Sequence, residues 1–318
     1  MVRPLNCCYF ASSRFGAAAL RAILKRYRPT LVATVPAKPQ GRGLKLEPNI
    51  VYSLALAEKL PILEVKNFEQ WEDQFDVGLV AGFGKVIPEL VIRNFELGII
   101  NLHPSLLPRY RGPNPISETI LNGEGETGVT LFIIDEQIDH GPIIAQKNFT
   151  LDGTETVEML EQRLGQLGGE LFNETIEAYL AGTLTPAPQN HAAATTTRKL
   201  TKTDGHLSLD DSYETWDRKI RALNLWPGTY LKINLRSKPQ FLKIFKIELI
   251  PDGHLSPDER RVPSGQLFVH RNYLAVRLSD ACATILELQL EGKKRMDSRE
   301  FLNGYPLGNL SVSRSYSL

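Results

Sequence analysis

The sequence predicts a largely parallel α/β domain followed by a small antiparallel β-barrel. Three observations carry that expectation. Apolar, β-branched runs alternate with helical patterns up to about residue 180, as in a mostly parallel sheet covered on both faces. The alternation stops in a Pro- and Thr-rich stretch, "TLTPAPQNHAAATTTRKLTKTDG", which has no apolar period and reads as a linker. Beyond it, short β-like runs broken by Gly, Pro and Asp have the spacing of a barrel or sandwich.

In order, "NCCYFA" reads as a strand, "FGAAALRAILKRY" as a helix, and "TLVATV" from Thr30 as a second strand. The polar segment "PAKPQGRGLKLEPN" reads as a loop leading to a helix near residues 51–59. Further strands are expected in "DVGLVA" from Asp76, "LGIINL" from Leu97, "TGVTLFII" from Thr127 and "PIIAQKNF" from Pro142. Helical patterns between and after them begin near Pro88, Pro115 and Thr156. After the linker, the helix "SYETWDRKIRALN" precedes "LWPGTYLKI", "QFLKIFKIELI", "GQLFVH", "YLAVRL" and "ATILELQL". There is no internal repeat.

Composition narrows the class. Of the residues, 42% are hydrophobic and 23% charged, as in ordinary globular proteins. No run of about 18 apolar residues offers a membrane span, and the first residues do not read as a targeting peptide. Cys7, Cys8 and Cys282 fit neither a disulfide framework nor a zinc spacing, so a cytoplasmic setting and no metal are expected. The net charge of +1 hides an asymmetry: residues 1–197 sum to −5 and residues 198–318 to +6. A basic second half points to a polyanionic partner.

The chemistry concentrates in "GIINLHPSLLPRYRG", residues 98–112. Asn101 and His103, two apart at the end of a strand, project to one side, and strand ends are where open α/β sheets gather ligands. A lone Asn-x-His more often combines a turn cap with a surface histidine. Here Pro104 and Pro108 stiffen the loop, Leu106 and Leu107 offer apolar contact, and Arg109 and Arg111 add charge that a mere connection does not need. An imidazole that moves protons needs an orienting partner, usually a carboxylate. "DEQIDHG" supplies Asp135, Glu136 and Asp139, and the physics of the residues does not choose among them.

Together, "INLHPSLLPRYRG" and "GETGVTLFIIDEQIDHGPII" resemble the formyltetrahydrofolate-dependent formyltransferases. The pattern of that family is Asn-x-His-x-Ser-Leu-Leu-Pro, followed about 36 residues after the histidine by an aspartate in a turn. Asn101, His103 and Asp139 fall on those positions. "PAKPQGRGLKLEPN" resembles the Gly-Arg-Gly-Lys-Lys loop of the branch that formylates methionyl initiator tRNA, with Arg42 on the central arginine. "VAGFGKVIP", "RKLTKTDGHLSL", "IRALNLWPGTYL" and "LEGKKRMDSREFLNG" extend the likeness over nearly the whole chain. Two features depart from it: Ser12, Ser13 and Arg14 replace a Gly-Thr-Pro, and Pro104 stands where many tRNA-directed members carry Gly or Ala.

The resemblance implies a Rossmann-like catalytic domain over residues 1–188, a linker over 189–205, and an OB-like barrel over 206–318 that holds tRNA. It implies Asn101, His103 and Asp139 as catalytic residues, with Ser105, Leu106, Leu107 and Pro108 against 10-formyltetrahydrofolate and Arg42 on the tRNA. Residues 83–88 would add to the folate pocket. The partners expected are initiator methionyl-tRNA and the folate co-substrate, met by a monomer with no membrane contact. Two other outcomes are an enzyme acting on an amino sugar nucleotide and an inactive nucleic-acid-binding protein. The basic second half and the Arg42 loop argue against the first, and the intact trio argues against the second.

Overall fold

The computed structural model describes residues 3–40, 45–69, 71 and 73–312. They form two compact units, residues 1–119 with 124–198, and residues 120–123 with 199–318. The division after Arg198 falls inside the segment expected to be a linker.

The first unit opens with β1 (Arg3–Ala11), α1 (Arg14–Ile23) and β2 (Tyr27–Thr34). Ser13 caps α1, its hydroxyl accepting from the Gly16 amide at 3.1 Å. The departure at residues 12–14 therefore keeps a working helix start. The expected polar loop contains two short paired strands, β3 (Lys38–Gln40) and β4 (Lys45–Glu47). Asn49 caps α2 (Ile50–Ala57), and its amide also donates to Thr34 and Val35, tying the helix to the end of β2. Then follow β5 (Ile62–Glu64), β6 (Val77–Ala81), the single-turn α3 (Glu89–Ile92), β7 (Ile99–His103) and α4 (Pro115–Leu121). The unit continues with β8 (Glu126–Ile133), β9 (Ile143–Thr150) and the long α5 (Val157–Leu180).

The sheet order is β5-β2-β1-β6-β7-β8-β9. The pairs from β5 through β7 are parallel, whereas β8 runs antiparallel to β7 and β9 antiparallel to β8. This direction matters for the site. Ile133 lies opposite Ile100, so β8 ends beside the start of β7, away from His103. The loop that joins β8 to β9 must double back along the sheet to reach the other end of β7.

The second unit has α6 (Tyr213–Leu223), β10 (Thr229–Leu235), β11 (Lys238–Ile250), α7 (Pro257–Arg260), β12 (Leu267–His270), β13 (Tyr273–Arg277) and β14 (Cys282–Leu290). It closes with β15 (Met296–Asp297), α8 (Ser298–Gly304) and β16 (Leu310–Val312). The strand order β12-β13-β14-β11-β10-β16 makes a nearly closed, six-stranded antiparallel barrel, with β15 on β14. The two edges approach because residues 307–309, just before β16, touch β12. β10 alternates buried and half-buried residues, as a barrel wall should. Trp216, Ile233, Leu242, Ile285 and Phe301 fill the interior, and the Trp216 indole N–H donates to the Ser208 carbonyl at 2.6 Å.

Candidate active site

β7 is buried between β6 and β8, and its pleat sends alternate residues to opposite faces. Leu102 packs against α5, so close to Gly168 that a Cβ there would lie 2.6 Å from its methyls. Asn101 and His103 turn the other way, as their spacing predicts. His103 is 4% exposed, and its ring meets the edge of Phe132 at a centroid distance of 6.4 Å.

The loop from β8 folds back over this face and delivers Asp139. Its Oδ1 accepts from Asn101 Nδ2 at 3.3 Å, and its Oδ2 accepts from the Gly112 amide at 2.6 Å. The same Oδ2 is 3.7 Å from His103 Nδ1, an ion-pair separation longer than a hydrogen bond. The ring is fixed instead through Nε2, 2.9 Å from the Tyr110 carbonyl. A carbonyl only accepts, so Nε2 carries a proton and Nδ1 is the nitrogen that faces Asp139. Asp139 has φ +49°, in the left-handed region that favours glycine. Thus the structure brings Asn101, His103 and Asp139 together, and it adds two backbone groups, the Tyr110 carbonyl and the Gly112 amide. Backbone groups leave no signature in a sequence, which is why the sequence reading missed them. Gly112 was the one available signal: its φ is +109°, and a Cβ would sit 2.8 Å from the Thr197 carbonyl.

Asn101 and Asp139 line a cavity of about 490 Å³, a volume suited to a small molecule. The sheet contributes Val80 and Phe132, the segment after β6 contributes Lys85, Val86, Ile87 and Pro88, and the doubled-back loop contributes Asp135 and Ile138. Val86 and Ile138 are strongly exposed apolar groups within this lining. Phe83 lies instead in an aromatic cluster with Phe10 and Phe68.

Ser105, Leu106, Leu107 and Pro108 are outside this lining. The Ser105 hydroxyl is buried and donates to the Arg109 carbonyl at 2.7 Å, while Thr130 Oγ1 donates to the Ser105 carbonyl at 2.6 Å. The Leu107 amide donates to Thr130 Oγ1, and Gln146 donates to the Leu107 carbonyl. The segment is therefore laced to β8 and β9, which holds the chain beyond His103 in place. Leu106 faces a smaller cleft of about 210 Å³ beside Arg109, Tyr110 and Glu124. Arg109 pairs with Glu124 and lies over the Tyr110 ring. Arg42 lies outside the described residues. His140, beside Asp139, pairs with Asp135 at 2.7 Å and stacks on His191 at 4.0 Å. Burial, then His140 and Arg111, hold His191 below the ordinary histidine range against the opposing pull of Asp135. No group of three or more metal-binding side chains occurs among the described residues, nor any helix long and apolar enough to cross a membrane.

An amide, an imidazole and a carboxylate beside a small-molecule cavity, with no placed Cys or Ser nucleophile, suit transfer of an acyl-type group directly between two bound substrates. Comparison with known proteins agrees. The chain matches the formyl transferase family over residues 10–176 and the formyl transferase C-terminal domain family over residues 199–306. HypX from Aquifex aeolicus in complex with tetrahydrofolic acid shares the fold, with a TM-score of 0.64 at 16% identity over 94% of this chain. This chain spans about half the length of HypX, 47%. The N-formyltransferase from Helicobacter canadensis, solved with folinic acid and dTDP-3-aminofucose, is alike at a TM-score of 0.63 and 20% identity, over 88% of this chain and 98% of that one. Fold and family matches together define a two-domain formyltransferase. The methionyl-tRNA formyltransferase of Koribacter versatilis (strain Ellin345) is 35% identical over 306 residues, 93% of this chain and 95% of that protein. The chain belongs to the methionyl-tRNA formyltransferase family.

Proposed function

We propose that the enzyme moves the formyl group of 10-formyltetrahydrofolate from N10 to the amino group of methionine on initiator tRNA. The observation that carries this reading is the meeting of Asn101 and Asp139 on the cavity of about 490 Å³, with His103 buried behind them against Asp139. The folate is assigned to that cavity, with the formyl carbon held near Asn101 and Asp139.

Attack of the amine forms the new C–N bond and moves the carbonyl electron pair onto oxygen. Asn101 has two amide hydrogens and gives one to Asp139, which leaves the other for the oxyanion. A well-aimed donor of this kind is worth about 2.7–4 kcal/mol in the transition state. With a proton on Nδ1 as well, His103 keeps Nε2–H on Tyr110 and turns a second donor toward Asp139 and the reacting oxygen. Asp139 takes up the proton shed by the attacking nitrogen, directly or through water. When the tetrahedral intermediate collapses, the bond to N10 breaks and N10 regains a proton from the same group. No covalent enzyme intermediate is required.

Arg42 is assigned to the tRNA, as are the basic residues that follow the first unit. The trio comes from one chain, so a monomer suffices, and an acceptor used in translation initiation sets the work in the cytoplasm. The test is an acceptor screen with purified protein and 10-formyltetrahydrofolate. Formylation of methionyl initiator tRNA is expected; formylation of an amino sugar nucleotide in its place would overturn the reading.

A further inference from the structure

Residues 187–197, which the sequence presents as connecting chain, are stitched into the first unit at both ends. Ala187 and Ile143 exchange two backbone hydrogen bonds, at 2.7 and 2.8 Å. Further on, the Arg111 amide donates to the Thr195 carbonyl at 2.9 Å, and the Thr197 amide donates to the Arg111 carbonyl at 2.7 Å. The Tyr110 amide donates to Thr195 Oγ1 at 2.8 Å. Between these seams lies Gln189, 6% exposed. Its Nε2 donates to the Asp139 carbonyl at 3.0 Å and to the Gly141 carbonyl at 2.8 Å. Its Oε1 accepts from Arg111 through Nε at 3.2 Å and through the terminal nitrogen at 2.7 Å. The orientation of the amide is fixed by chemistry: a guanidinium only donates, so the oxygen faces Arg111 and the nitrogen faces the two carbonyls.

We propose that Gln189 is a positioning residue for the formyl transfer, holding the Asp139 turn, and that residues 189–197 form a clamp that sets Asp139 and His103 against each other. The proposal rests on the reading of Asn101, His103 and Asp139 as the catalytic trio. A non-glycine residue at φ +49° persists only where its surroundings over-determine it. One amide grips the carbonyl of the strained residue itself and that of Gly141 two residues on. Without it, two carbonyls lose their donor and the turn is free to relax toward an ordinary conformation, which carries the carboxylate away from Asn101 and the Gly112 amide. The far end of the clamp holds Tyr110, whose carbonyl orients His103, and lies against Gly112, whose amide orients Asp139. One segment therefore references the acid–base pair to a single base, and shifts on the order of 1 Å at such groups can cost about 100-fold.

The test is steady-state kinetics of full-length Gln189→Met and Gln189→Glu, alone and combined with Asp139→Ala. Both single variants lose the donor pair, and Gln189→Glu keeps an acceptor for Arg111, so it carries the test if the methionine variant melts. We expect kcat to fall roughly 10- to 100-fold. KM for tRNA and for folate should stay within about threefold, because the lost interaction acts in the transition state. In the Asp139→Ala background, loss of Gln189 should cost nothing further. Normal kcat in a folded Gln189 variant, beside an inactive Asp139→Ala, overturns the proposal alone. So do losses that multiply in the double variant, because Gln189 would then act elsewhere. Full activity in Asp139→Ala removes the catalytic reading itself, and the clamp with it.

Discussion

Asn101 gives one amide hydrogen to Asp139 and keeps the other, while His103 is held by the Tyr110 carbonyl and Asp139 by Asn101 and the Gly112 amide. Removing any of them removes a donor or a proton carrier, and only His103, buried against Phe132, leaves a small internal space. Asn101→Ala, His103→Ala and Asp139→Ala are each expected to lower kcat at least ~100-fold, the scale of a lost oxyanion donor or general acid–base. Circular dichroism and melting should stay near those of the parent, and near-normal turnover in any one folded variant takes that residue out of the mechanism. Cys7 behaves oppositely, as a group with nothing to face. Burial, and then the charge of Asp76, raise its thiol from 9.0 to about 12. The thiolate is the reactive form, so native protein at pH 8 should resist a thiol reagent that labels it after unfolding; rapid native labelling at Cys7 would contradict the burial. Linkage gives a sign as well. Between pH 9 and about 12 the native chain keeps a proton that the unfolded chain releases, so Cys7 contributes stability that is lost as pH rises through that window.

The helices carry the site from behind. Gly165 and Gly169 let α5 lie directly on α1, where Cβ atoms would come within 2.4 Å of the Phe15 and Ala19 carbonyls, and Gly168 takes Leu102 of β7. Gly169→Val must push the two helices apart and should destabilise the first unit by about 1–3 kcal/mol, as overpacking does. A urea midpoint equal to that of the parent would deny the close approach. How far this was readable in the sequence differs by element. The alternation of runs located every strand of the first sheet but the short β5, though not the separate β3–β4 pair, and the two-residue spacing in β7 was enough to aim Asn101 and His103 together. The direction of β8 was not legible, because "TGVTLFII" is buried almost throughout and an apolar run looks the same whichever way it runs. Its reversal is what makes Asp139 arrive on a loop that doubles back. The role of Gln189 was hidden for a related reason: residues 187–197 bond through backbone and single polar side chains, which have no periodicity to detect. The basic loop at Arg42 stays beyond the described residues.

Over the whole molecule the charge divides with the chain, −5 for residues 1–197 and +6 for residues 198–318. Within the barrel, Arg295 is already engaged, paired with Glu287 and lying over the Phe245 ring at 4.3 Å. Lys293 and Lys294, exposed on the turn after β14, are better placed for phosphates than Arg295. Removing one lysine–phosphate pair should flatten the dependence of log affinity on log salt by about 0.7–0.9. The pair of variants Lys293→Gln and Lys294→Gln, made together, should therefore reduce the slope for tRNA by about 1.4–1.8 and leave folate binding unchanged; an unaltered slope would place these lysines off the interface. The seam at Thr195 to Thr197 also bears on how such a chain can be cut and recombined. A junction at the first prolines after α5, where the composition invites one, would leave Gln189 in the wrong fragment and hand a transplanted catalytic module a loosened aspartate. A chimera joined after Arg198 keeps the clamp with the residues it touches, so the second unit can be exchanged there without parting Gln189 from Asp139 and Arg111.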